Sequence, residues 1–172
     1  MTTSCPLPLI SEKGEEFARG LCLRLLTTRA RTRAELSKHL KRRGYPGDVI
    51  TRVLDRLCDV GLVDDAEFAQ MYVHSGGVNA RKGRQALAAG LRTKGLHDDV
   101  IETALNDLGP AAEQERAVTL VQTKLRRENL DGDHQKVARR LVGMLARRGY
   151  AEAMAYDVVK MQMALELERR RT

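Results

Sequence analysis

The sequence predicts an all-α protein made of three tandem three-helix repeats, stacked into a curved, elongated rod. Three observations predict it. Apolar residues recur at i, i+3, i+4, i+7 along the whole chain, with no competing run of period 2. Gly44, Gly95 and Gly149 each follow a helical run directly, at the point where a left-handed residue closes a helix. The same apolar pattern surrounds all three glycines, which lie 51 and 54 residues apart.

The first repeat spans 12–62. Its helices read from Ala18, Leu21, Cys22 and Leu25, then Leu36 and Leu40, then Ile50, Val53, Leu54 and Leu57. The second, 63–108, reads from Phe68, Ala69, Tyr72 and Val73, then Leu87 and Leu91, then Ile101, Ala104, Leu105 and Leu108. The third, 109–168, reads from Ala117, Leu120 and Val121, then Leu141 and Leu145, then Ala155, Val158 and Val159. Units of this size bury too little apolar surface alone, so neighbours must share it, which is the reason to expect stacking.

Helix starts carry their own signals. Thr32 with Glu35, and Asp99 with Glu102, have capping-box spacing, in which an oxygen and a returning carboxylate satisfy orphan N–H groups. Asp64 and Asp65 before Glu67 form a looser version, and N-capping is the reading of that carboxylate pair. Linkers fall at Gly61–Asp64, Ser75–Ala80 and Gly109–Pro110.

Composition sets limits on function. The chain has 172 residues, 42% of them apolar and 31% charged, which is globular rather than disordered. Aromatics make up only 3% and there is no Trp, a mix that suits helix packing better than sheets. A net charge of +7 makes a polyanion, or an assembly that contains one, the first partner to consider. The charge is uneven along the chain: the first and third repeats are basic and the second is acidic. Cys5, Cys22 and Cys58 lack C-x-x-C spacing and are odd in number, which fits a reducing compartment. No basic leader and no stretch of 18 apolar residues is present, so the expectation is a soluble cytoplasmic protein without a membrane span. A monomer is expected, though nothing in the sequence speaks to oligomeric state.

With the repeats laid out, the residues resemble a known family. Leu40-x3-Gly44-Tyr45, Ile50-x2-Val53-Leu54, Gly61-Leu62-Val63-Asp64-Asp65 and Phe68-Ala69 are similar to the RecX family of recombinase regulators. Leu87-x3-Leu91, Lys94-Gly95, Ile101 and Ala104-Leu105 continue the match, as does Arg148-Gly149-Tyr150, so that it covers about residues 15–165. The resemblance implies three tandem three-helix repeats and binding to the RecA recombinase and its filament on single-stranded DNA. It implies restraint of filament growth, ATP hydrolysis, strand exchange and coprotease activity. It brings no catalytic residues and no cofactor.

Basic residues are the candidate contacts. Lys41, Arg42, Arg81, Lys82, Arg84, Arg92, Arg139, Arg140 and Arg147 are placed to meet DNA phosphates or acidic recombinase loops. Arg43, Lys94 and Arg148 instead sit in the last turn before each glycine, where a cation offsets the helix dipole by about 0.3–1 kcal/mol. Tyr45 and Tyr150 are equivalent and read as packing residues after the glycine rather than as base-stacking platforms. Arg169–Arg171 read as a solvated end.

Other chemistry finds little support. Gly76–Gly83 lacks the glycine before its lysine and the hydroxyl after it that a phosphate loop needs, so it reads as a connector. His39, His74, His97 and His134 are scattered, without i, i+4 pairing or nearby thiols, which argues against a metal site. Cys22 lies on an apolar stripe. No nucleophile, base or oxyanion cradle assembles, so an enzyme is not expected. The rival reading is a duplex-DNA-binding regulator, because Thr32–Asp65 runs helix, turn, helix, as in helix-turn-helix proteins. No wing follows it, and the unit recurs twice more.

Overall fold

The structure, a computed structural model, describes residues 8–128, 130 and 132–171. The described residues form α1 (Pro8–Thr28), α2 (Arg33–Arg42), α3 (Gly47–Asp59), α4 (Asp65–His74), α5 (Arg84–Thr93), α6 (Asp98–Asn106), α7 (Pro110–Leu125), α8 (His134–Arg147) and α9 (Glu152–Arg171). No strand occurs among them, and the all-α helical-repeat fold predicted from periodicity is the one observed.

Two compact units are present. One comprises the described residues through Phe68 together with Thr93–His97, and the other comprises Ala69–Arg92 and the described residues from Asp98 onward. In the first, α1 and α2 pack on α3, burying Ala18, Cys22, Leu36, Leu40, Val53 and Leu54. In the second, α7 and α8 pack on α9, burying Ala117, Val121, Leu141, Leu145, Val158 and Val159. These are the residues of the helical stripes, and each fully buried leucine or valine contributes about 1.5–3 kcal/mol relative to exposure. Leu87, Leu91, Ile101 and Leu105 are likewise buried on α5 and α6.

The glycine signals hold. Gly44, Gly95 and Gly149 have φ of +81°, +79° and +84°. After two of them the chain turns back in the Schellman manner: the Tyr45 N–H donates to the Leu40 carbonyl (3.3 Å) and the Tyr150 N–H to that of Leu145 (3.2 Å).

The starts of the helices are only partly as expected. Asp64 caps α4, accepting from the N–H groups of Ala66 (2.8 Å) and Glu67 (2.9 Å). Thr32 caps α2 by accepting from the Glu35 N–H (3.1 Å). The Glu35 carboxylate, however, does not return to Thr32; it pairs with Arg29 (3.0 Å) and Lys94 (2.7 Å), because a lysine close in space outcompetes a neutral N–H. Asp99 lies inside the first turn of α6, and Glu102 faces Arg84 (2.6 Å) instead of closing a capping box. Asp133 caps α8 through the Lys136 N–H (3.0 Å), a cap the sequence reading missed.

The connector expected at Ser75–Ala80 is largely a π-helical turn, Ser75–Asn79, closed by the Ala80 N–H on the Ser75 carbonyl (3.3 Å). The basic end is not simply solvated either. α9 runs through Arg171, and Arg170 donates to the carbonyls of Leu125 (2.9 Å) and Glu128 (3.1 Å), occupying free carbonyls near the end of α7.

Candidate partner-binding surface

The C-terminal turn of α2 carries Lys41 and Arg42 beside Arg43. All three are exposed, and their side chains have no hydrogen-bond or ion-pair partner among the described residues. Arg147 at the end of α8 is exposed and equally free among those residues. Arg81 is exposed in a left-handed conformation, φ +50°, and its carbonyl accepts the Tyr150 hydroxyl (3.1 Å). Lys82 is half-buried, its backbone N–H on the Gly76 carbonyl (3.0 Å). Arg139 is exposed and, among the described residues, reaches only the Gln135 carbonyl of its own helix (3.4 Å).

Three other predicted contacts are already engaged. Arg92 pairs with Asp98 (2.8 Å) and Arg140 with Glu128. Arg84 is held most firmly: its guanidinium donates to the Leu105 carbonyl (2.9 Å), Glu102 (2.6 Å) and Asn106 (3.1 Å), and its backbone N–H donates to Glu113 (2.7 Å). Like charges in the sequence thus divide into cations that lock helices together and cations turned to solvent.

Among the pre-glycine cations, Lys94 pairs with Glu35 while its carbonyl accepts the Thr32 hydroxyl (2.7 Å). Arg148 donates to the Ala80 carbonyl (3.2 Å). Among the described residues, only Arg43 is left as a free cation beside its glycine. Tyr150 is 1% exposed, which removes it as a base platform, and burial pushes its phenol pKa up. Tyr45 is half-buried against the first core. Both match the packing role.

Glu113 was missed. It is 7% exposed and its carboxylate receives the first N–H of α5, where orphan donors and the helix dipole favour an anion. Its position, four before the buried Ala117, matches Asp65 before Ala69, and that register was the available signal. Asp65 does the same work, accepting from the Arg33 N–H at the start of α2 (2.9 Å).

The remaining candidates are quiet. Burial pushes the Cys22 thiol up to about 11, so it is an inert core residue. Cys58 is half-buried with Arg33 Nη1 at 3.5 Å, and Cys5 lies outside the described residues. No group of three His, Cys, Asp or Glu side chains suited to a metal ion occurs among the described residues. No described helix is long and apolar enough to cross a membrane.

Fold and surface together define a tandem helical-repeat protein of three-helix modules that presents unpaired cations. The family described as RecX, first three-helix domain, matches residues 18–57, and that described as RecX, second three-helix domain, matches 64–105. "Regulatory protein RecX" of Mycolicibacterium smegmatis is 62% identical over 160 residues, covering 91% of this chain and 85% of that protein. "Regulatory protein RecX" of Mycobacterium avium is 58% identical over 172 residues, covering 99% of both. The crystal structure of RecX from Lactobacillus salivarius shares the fold with a TM-score of 0.79 at 22% identity, over 90% of this chain and 97% of that one. The chain belongs to the RecX family of regulatory proteins.

Proposed function

We propose that the chain regulates a RecA recombinase by binding the recombinase and its filament on single-stranded DNA. In this reading it restrains filament growth and so depresses ATP hydrolysis, strand exchange and coprotease activity. It acts by binding, as a cytoplasmic monomer, with no cofactor and no chemical step of its own. The observation that carries the reading is near-full-length identity of 58–62% to proteins called "Regulatory protein RecX". The free cations Lys41, Arg42, Arg81 and Arg147 support it, since unpaired exposed cations are what a polyanionic filament selects. Lys82 and Arg139 join this contact set, whereas the ion pairs of Arg84, Arg92 and Arg140 leave them a lesser share.

The test is DNA-dependent ATP hydrolysis by the matching recombinase, with the chain titrated from well below equimolar. Inhibition below equimolar, weakened by joint reversal of Lys41, Arg42 and Arg147 to Glu, is the expected result. No inhibition at any ratio, together with tight sequence-selective binding to duplex DNA alone, would replace this reading with the duplex-binding one.

A further inference from the structure

Two junctions inside the chain follow one rule. At the start of α2 the Arg33 N–H donates to Asp65 in the first turn of α4, and the Arg33 guanidinium reaches Asp55 on α3 (2.6 Å). At the start of α5 the Arg84 N–H donates to Glu113 in the first turn of α7, and its guanidinium reaches Glu102 and Asn106 on α6. In each case a helix with a carboxylate in its first turn is received where the preceding pair of helices meets. Asp65 and Glu113 each precede a fully buried alanine, Ala69 and Ala117, by four residues.

The third repeat changes the chemistry at this place. In the register of the three glycines, Arg33 and Arg84 correspond to Ala138, Asp55 and Asn106 to Lys160, and Glu102 to Tyr156. α8 also begins one turn earlier, at His134, so Ala138 lies inside the helix rather than at its start. The polar junction is thereby replaced by an open groove of about 450 Å³ between α8 and α9. Its floor is Ala138, Val142, Met163 and Leu167, with Tyr156 61% exposed beside them. Its charged groups among the described residues are Arg139 and Lys160, with His134 at one end, and no carboxylate of those residues lines it.

We propose that this groove docks an amphipathic helix of a partner protein, one with carboxylates flanking its apolar stripe. An apolar strip between two helices takes a helix by its i, i+3, i+4, i+7 face. The two cations, which no described carboxylate pairs with, select carboxylates on that helix and steer its approach. The chain's own junctions show acid-bearing helices seated at the corresponding place. A second copy fits less well: four residues before the buried Ala18, α1 carries Gly14 where α4 and α7 carry acids, and the neighbouring Glu15 is engaged by Arg52 (2.5 Å) and Arg56 (3.3 Å). A nucleic-acid strand would find an apolar floor in place of the polar one it needs. The inference does not depend on the recombinase reading, and its test needs no recombinase.

The test uses the full chain and a fluorescent designed helical peptide with a leucine stripe flanked by glutamates, beside a control with lysines at the same flanks. Anisotropy is expected to show the glutamate peptide binding at least about tenfold tighter than the lysine peptide. Arg139→Glu with Lys160→Glu should reverse that preference, and Val142→Glu should abolish binding, both variants keeping the wild-type helical circular dichroism. Equal binding of the two peptides, or binding indifferent to Val142→Glu, overturns the proposal. So does sedimentation showing that the chain alone self-associates through the groove, with Val142→Glu dissolving the assembly, because the occupant is then a second copy.

Discussion

The backbone N–H of Arg84 donates to the Glu113 carboxylate at 2.7 Å, joining the first turn of α5 to the first turn of α7. Because Glu113 is almost fully buried, removing it strands a helix-start donor away from water. Glu113→Ala is expected to cost about 1–3 kcal/mol in urea unfolding, the penalty of an unsatisfied buried group. Glu113→Gln, which keeps an acceptor oxygen, is expected to cost less. Charge reversal at Arg84 should also destabilise the fold, whereas Lys41→Glu with Arg42→Glu should stay within about 0.5 kcal/mol of wild type.

Gly149 and Gly44 share a left-handed backbone but not the same surroundings. A Cβ on Gly149 would run into the backbone of Ala86, while nothing lies within 4 Å of one on Gly44. Gly44→Ala should therefore cost only the left-handed conformation, about 1–2 kcal/mol. Gly149→Ala should add an overpacking cost of about 1–3 kcal/mol. Thermal unfolding of the two variants side by side checks the difference.

Thr32 is fully buried and uses its hydroxyl twice, accepting from the Glu35 N–H and donating to the Lys94 carbonyl. Thr32→Ala is expected to lower stability by about 1–2 kcal/mol, and Thr32→Ser to retain most of it. Midpoints of urea denaturation separate the two.

Glu35 carries a pH dependence. Burial alone would raise its pKa, but hydrogen bonds from Arg29 and Lys94 outweigh that and hold the carboxyl at about 2, below the ordinary 4.5. Its contribution to stability is therefore complete above about 4.5 and is lost as pH falls towards 2. The melting temperature of Glu35→Gln should lie below wild type at neutral pH, and the gap should close on acidification through that window. A gap that stays constant to pH 2 would mean the ion pairs contribute nothing.

Part of this was legible in advance. Helix positions, the closing glycines, the Asp64 cap and the burial of Tyr150 all follow from signals within a few residues. The half-met capping boxes show where such signals stop. Thr32 was identified correctly because its acceptor role is local, but Glu35 answers to Lys94, 59 residues away. Asp65, grouped with Asp64 as a cap for its own helix, serves α2 instead.

The sequence by itself determined the helical class, the repeat register and the net positive charge, because periodicity, left-handed glycines and composition are properties of short segments. Tertiary structure alone decided which cations are free. Lys41 and Arg84 are both basic residues near helix ends, yet one faces solvent and the other is fixed by three acceptors on α6. It also decided that the α8–α9 junction opens as an apolar groove flanked by Arg139 and Lys160. Pairing partners and shared surfaces depend on which segments folding brings side by side, and no local pattern encodes that.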